Sequence, residues 1–101
     1  MLPAPIAAYF AATTPETIAA TFTEDATVTD ERRTHQGRAA ILRWREEVAA
    51  ISFRQDILRA GPHGDGYRVT CRLTGDFKGS PVELDYDFTL AGDSIARLEI
   101  A

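Results

Sequence analysis

Asp30 is the residue of this sequence best placed to do chemistry. It closes the run Ala26-Thr27-Val28-Thr29-Asp30, in which apolar side chains alternate with threonines. A period of two among small and β-branched residues makes a strand, with Ala26, Val28 and Asp30 on one face. If that face turns inward, the carboxylate lies among Phe10, Trp44 and Phe88 with little water around it. Poor hydration disfavours the charged form of a carboxyl group, the condition under which it exchanges protons near neutrality. The competing reading is a carboxylate that caps the strand end or pairs with a neighbouring arginine. His35 follows closely. It is either a second acid or base at a pocket mouth, since imidazole titrates in the useful range, or a solvent-facing loop residue. Trp44, Tyr86 and Phe88 are either the lining of a small-molecule cavity or ordinary core. Where the cavity is the unfilled centre of the core, the two readings coincide.

Other reactive side chains offer less. His63 lies in a glycine-rich turn and is expected to be exposed. Cys71, the single thiol, sits with Val69 and Leu73 in alternation with Arg68, Thr70, Arg72 and Thr74. It is therefore read as a packing residue that forms no internal disulfide. Two isolated histidines and one cysteine lack zinc-site spacing, and no cofactor is expected. Gly61, Gly64 and Gly66 lead into a strand rather than a helix, so they make no phosphate cradle, and no Gly-x-Ser-x-Gly elbow is present. Arg32, Arg33, Arg38, Arg43 and Arg45 form a basic stretch able to attract an anion. Glu31, Glu46 and Glu47 interrupt it, which favours a solvated, ion-paired surface.

The elements that must position these groups follow from pattern. Ile6, Tyr9, Phe10 and Thr13 have helical spacing, and Thr14-Pro15-Glu16 starts a second short helix with a capping hydroxyl, a proline and an acid. Ile18 and Phe22 share its face. After the Asp30 strand, residues 32–37 read as a loop. A longer helix then carries Ile41, Trp44, Val48 and Ile51 inward, with Arg43, Arg45, Glu46 and Glu47 mostly outward. Residues 52–60, 66–77, 82–91 and 94–101 read as four strands of an antiparallel meander, separated by Gly, Pro and Asp clusters. Leu84, Tyr86, Phe88 and Leu90 form one apolar face. Ala96, Leu98 and Ile100 alternate with Ile95, Arg97 and Glu99, so Arg97 is expected to meet Asp85 or Asp87 across the ladder.

With 101 residues and 45% hydrophobic content, the chain is expected to form one α+β domain over residues 1–101. Eleven basic against fifteen acidic residues, a net charge of -4, argue against a nucleic-acid partner. No apolar run reaches the roughly 18 to 20 residues that cross a bilayer, so a cytoplasmic protein without membrane contact is expected. A domain of this size buries only moderate surface, which makes a homodimer a natural supplement.

The order helix, helix, strand, helix and four strands resembles the NTF2-like superfamily. Phe22-Thr23-Glu24-Asp25-Ala26-Thr27-Val28-Thr29-Asp30 and His35-Gln36-Gly37-Arg38-Ala39-Ala40-Ile41 are similar to its signature segments. The likeness covers essentially the whole chain and is nearest to SnoaL-like proteins. It implies a cone-shaped fold, a curved antiparallel sheet packed on three helices around a mostly apolar pocket, often dimerised through the sheet. Within the superfamily, ketosteroid isomerase carries a general-base aspartate at the position of Asp30 and an oxyanion-binding tyrosine in a helix stretch similar to Ala8-Tyr9-Phe10-Ala11-Ala12. That resemblance implies catalytic roles for Asp30 and Tyr9. Its third member, a protonated aspartic acid, is replaced here by Tyr86, and the proline after the base by Glu31. What carries over is a pocket and a proton-transfer geometry, not a steroid substrate.

The leading expectation is a cofactor-independent isomerase, cyclase or dehydratase acting on a small apolar carbonyl compound. Asp30 and Tyr9 are its catalytic residues, and Phe10, His35, Trp44, Tyr86 and Phe88 bind the ligand. The alternatives are a non-catalytic ligand-binding protein and a dimerisation module that uses the outer sheet face.

Overall fold

Backbone chemistry at Thr14 shows how sequence sets the first boundary. Its hydroxyl accepts from the amide of Thr17 at 3.1 Å, and the Thr14 amide donates in turn to the Thr17 hydroxyl at 3.2 Å. This is a reciprocal cap, with Pro15 in the first turn where its missing N–H costs nothing. The computed structural model describes residues 2–101. Its elements are α1 (Ala4–Ala11), α2 (Pro15–Ala19), β1 (Phe22–Asp30), β2 (Arg33–Gln36), α3 (Arg38–Ala49), β3 (Phe53–His63), β4 (Gly66–Gly75), β5 (Val82–Ala91) and β6 (Ser94–Ile100). The six strands form one curved, unclosed sheet in the order β2-β1-β6-β5-β4-β3. With three helices this is the expected α+β cone of the NTF2-like type.

The sheet is mixed rather than antiparallel throughout. β3 to β6 make the expected meander, but β1 runs parallel to β6, with Val28 opposite Leu98 and Asp30 opposite Ile100. Alternation reports which face a side chain takes, not which strand lies alongside or in which direction.

The segment 32–37 is also not a plain loop, because Arg33–Gln36 pairs with β1 from Asp30↔Arg33 to Thr27↔Gln36. Its polar residues carry no alternation to reveal it. The hairpin turns through Glu31 and Arg32, both at positive φ, 52° and 66°. This is the backbone of a type I′ turn, built without the usual asparagine or glycine.

Strand ends shift for equally local reasons. β3 continues through Pro62 because it is an edge strand, where a missing donor is tolerated. β4 stops at Gly75, where a Cβ would collide with Phe53 and the Ser52 carbonyl. Register shifts between Ile57 and Arg59 and between Thr89 and Leu90 bend the sheet. The second also turns Ile95 inward to full burial, where simple alternation placed it outward.

Arg97 pairs with Glu99 at 3.0 Å rather than with Asp85 or Asp87. The register sets it opposite Thr89, and Arg68 takes both aspartates, Asp87 at 2.7 Å and Asp85 at 3.6 Å. The concave face closes on the helices through Ile6, Phe22, Val28, Ile41, Phe88 and Leu98, all essentially inaccessible. Cys71 is buried among them, and its burial pushes the thiol up to about 11.

Candidate functional site

The register delivers Asp30 and Tyr86 to the same rung. Asp30 lies opposite Ile100 on β6, and Ile100 lies opposite Tyr86 on β5. Paired residues share a face, so carboxylate and phenol project to the same side with one strand between them. Above this rung a cavity of about 630 Å³ opens between the second half of α3, the β1–β2 hairpin and the ends of β4 and β5. Its wall is largely apolar, with Val48, Phe53, Leu73 and Leu84 beside Trp44 and Tyr86. Asp30, His35 and Arg45 are the half-buried polar groups, while Glu31, Arg33, Glu47 and Lys78 are exposed at the rim.

Trp44 orients the carboxylate. Its indole Nε1 donates to Asp30 Oδ2 at 3.0 Å, so α3 fixes a side chain that β1 presents. Oδ1 accepts no hydrogen bond among the described residues. The carboxylate neither caps the strand end nor pairs with an arginine. The His35 ring lies 6.1 Å from that of Trp44, tilted by 30°, which sets it in the cavity wall rather than in solvent.

Tyr86 accepts from Gln55 Nε2 at 2.8 Å. Burial, reinforced by the nearby Tyr9 phenol, pushes its pKa far above the ordinary phenol value, so it stays protonated and its own hydrogen is free to donate.

Tyr9 does not line the cavity. It is buried behind the wall, where its ring meets Phe10 at 5.0 Å and Phe88 at 5.5 Å, both nearly edge-on. Phe10 and Phe88 belong to this packed aromatic layer and are also absent from the cavity wall. The Tyr9 hydroxyl accepts from Arg45 Nη1 at 3.4 Å. Burial raises its pKa to about 12 against the pull of the Arg45 charge, and the charge of Asp30 adds to the rise. Asp30, His35, Trp44 and Tyr86 therefore meet at one cavity, with Tyr9 one guanidinium removed from it.

Arg45 is the residue that the helical pattern concealed. Its charge predicts an outward position, yet it is half-buried, lines the cavity and lies 5.2 Å from the Trp44 ring. The signal was its spacing. Arg45 follows Ile41 by one helical repeat and precedes Val48 by the other, which puts it on the inward stripe. Gln55 and Phe53 carry no such sequence signal, because their edge strand shows little alternation. Among the described residues no group of His, Cys, Asp and Glu is arranged to hold a metal ion.

A family model described as the SnoaL-like domain matches residues 6–98. The chain belongs to the SnoaL-like domain family. The SnoaL-like chain is 40% identical to a candidate polyketide cyclase from Sinorhizobium meliloti, with a TM-score of 0.90 over 99% of this chain and 95% of that one. A protein of ketosteroid isomerase-like fold from Catenulispora acidiphila, solved with trimethylamine, shares 22% identity and a TM-score of 0.83 over 100% of this chain and 86% of that one. A cystatin-fold protein from Novosphingobium aromaticivorans shares 22% identity at a TM-score of 0.75, over 97% and 92% of the two chains. These last two speak to the fold of the SnoaL-like domain alone. No curated protein sequence is significantly similar to the chain.

Proposed function

We propose that this SnoaL-like protein is a cofactor-independent enzyme that moves a proton on a small, largely apolar carbonyl compound, by isomerisation, cyclisation or dehydration. The observation that carries the reading is the Asp30 carboxylate, held through one oxygen by Trp44 at 3.0 Å in the wall of an apolar cavity with its other oxygen unengaged. A base fixed in orientation, with a free lone pair facing a ligand-sized space, meets the geometric requirement for general acid–base catalysis.

Asp30 takes a proton from the carbon next to the carbonyl and returns it at another carbon. The intervening enolate oxygen is met by the Tyr86 hydroxyl, a neutral donor kept protonated by burial. A preorganised donor in such a site stabilises charge that water would otherwise have to reorganise around. Tyr9 acts from behind the wall through its contact with Arg45. The 40% identity to a candidate polyketide cyclase supports carbon-acid chemistry of this kind.

The test is deuterium incorporation from heavy water into a panel of small carbonyl compounds, including a β,γ-unsaturated cyclohexenone, followed by proton NMR. Asp30→Asn is expected to lower the exchange rate by about a hundredfold or more while leaving the melting temperature equal or higher. Exchange at the wild-type rate in Asp30→Asn, or loss of exchange only alongside unfolding, overturns the proposal.

A further inference from the structure

Arg45 carries a positive charge that forms no ion pair among the described residues. The other arginines without an ion-pair partner, Arg32, Arg33, Arg38, Arg43 and Arg59, are exposed, whereas Arg45 is half-buried. Its one side-chain hydrogen bond, to the Tyr9 hydroxyl, is long at 3.4 Å. Its Nε is buried and has no acceptor. The guanidinium is flanked by the rings of Trp44 at 5.2 Å and Tyr9 at 5.8 Å, and the residue lines the cavity. Ring faces attract a cation but accept no conventional hydrogen bond from its fork. Buried guanidinium groups are ordinarily matched by a carboxylate or phosphate.

We propose that Arg45 is the anchor for a carboxylate on the ligand, so that the cavity prefers a small organic acid with an apolar body to its neutral analogue. The proposal rests on the reading of the cavity as the ligand site and specifies the substrate class for it. The apolar wall formed by Val48, Phe53, Leu73 and Leu84 receives the hydrocarbon part. Asp30 is already committed at one oxygen to Trp44 and forms no ion pair with the guanidinium. A carboxylate is favoured over a phosphate because a single half-buried guanidinium supplies charge for one negative group, and the remaining cations, Arg33 and Lys78, are exposed at the rim beside Glu31 and Glu47.

Trp44 is the only tryptophan, lines the cavity and touches both Arg45 and Asp30, so its fluorescence reports occupancy. The experiment titrates the intact protein with phenylpropanoate and with phenylpropanamide, its neutral isostere. The acid is expected to bind about ten- to a hundredfold more tightly, the range of a charge-assisted hydrogen bond. Arg45→Met is expected to erase that preference, Arg45→Lys to restore part of it, and the pair Arg33→Gln with Lys78→Gln to leave it in place. Near-ultraviolet circular dichroism establishes that each variant is folded. Asp30→Asn should keep the preference, which separates this proposal from the one on proton transfer. Failure of Asp30 as a base leaves the acid preference standing, and loss of the preference leaves Asp30 untouched. Equal affinity for acid and amide, no binding of either, or a preference that survives in folded Arg45→Met overturns the assignment.

Discussion

The indole nitrogen of Trp44 donates to Asp30 Oδ2 at 3.0 Å, tying the long helix to the last residue of the first strand. This bond selects one carboxylate orientation, and it makes the proton transfer proposed for Asp30 depend on a residue that lies in the core by pattern alone. Trp44→Phe keeps the ring and removes the donor. We expect it to lower proton exchange by about tenfold and stability by about 1.5–3 kcal/mol, the range for a hydrogen bond to a charged group. Urea denaturation and the deuterium assay measure the two effects. An unchanged exchange rate in a folded Trp44→Phe variant would show that orientation of the carboxylate is irrelevant.

The hairpin turn at Glu31 and Arg32 holds two non-glycine residues at positive φ. Left-handed backbone costs such residues roughly 1–2 kcal/mol each, and Asn-Gly adopts the same turn readily. The double variant Glu31→Asn with Arg32→Gly is expected to raise the melting temperature by about 4 °C or more for a domain of this size. A lower melting temperature would mean that the Glu31 and Arg32 side chains contribute more than their backbone costs.

Alkaline pH should destabilise the fold. Burial raises Cys71 from 9.0 to about 11 and Tyr9 from 10.0 to about 12. Above pH 9 the unfolded chain therefore releases protons that the folded chain retains, so stability falls as pH rises. The stabilisation is fully present below pH 9 and disappears progressively toward pH 12. Urea midpoints at a series of pH values between 8 and 11 follow the decline, and Cys71→Ala should remove its earliest part. The same thiol is expected to resist iodoacetamide in native protein and react in urea. Rapid native labelling would contradict its burial.

On the outer face, Arg68 makes two hydrogen bonds to Asp87, at 2.7 Å and 3.0 Å. The hydrogen bonds hold the Asp87 carboxyl below its ordinary value of 3.8. The associated stability is present above that value and is lost as pH falls through the lowered one. Both side chains are about one-third exposed, so solvent screening limits the pair, and Arg68→Ala is expected to lower the urea midpoint only slightly. A larger loss in urea denaturation at neutral pH would assign the network a structural weight that its exposure does not suggest.

Much of this architecture was readable because short-range chemistry decided it. Thr14-Pro15 marks a helix start in any context, and the alternation from Leu84 to Leu90 separates two faces of a strand whatever lies beside it. The parallel pairing of Val28 with Leu98 was not readable, since nothing in either strand names its partner. β2 was hidden because Arg33, Thr34, His35 and Gln36 are polar on both faces. That Asp30, His35, Trp44 and Tyr86 meet at one cavity was legible from residue type and register. Arg45 was set aside because a charge on a helix normally faces water, and only its spacing from Ile41 and Val48 opposed that rule. Tyr9 stands behind the wall rather than in it because α1 packs its ring edge-on against Phe10 and Phe88, a depth that no one-dimensional pattern records.

The parallel seam of β1 with β6 has a consequence for biogenesis. Asp30 emerges early in synthesis, but the strand that flanks it and carries Ile100 between it and Tyr86 is the last of the fold to be made. The two halves of the rung come together only when that late strand docks, a non-local closure of the kind that slows folding. Until then the nascent chain presents an open inner edge on β1, available to chaperones or to stray strands, and the cavity lacks one wall.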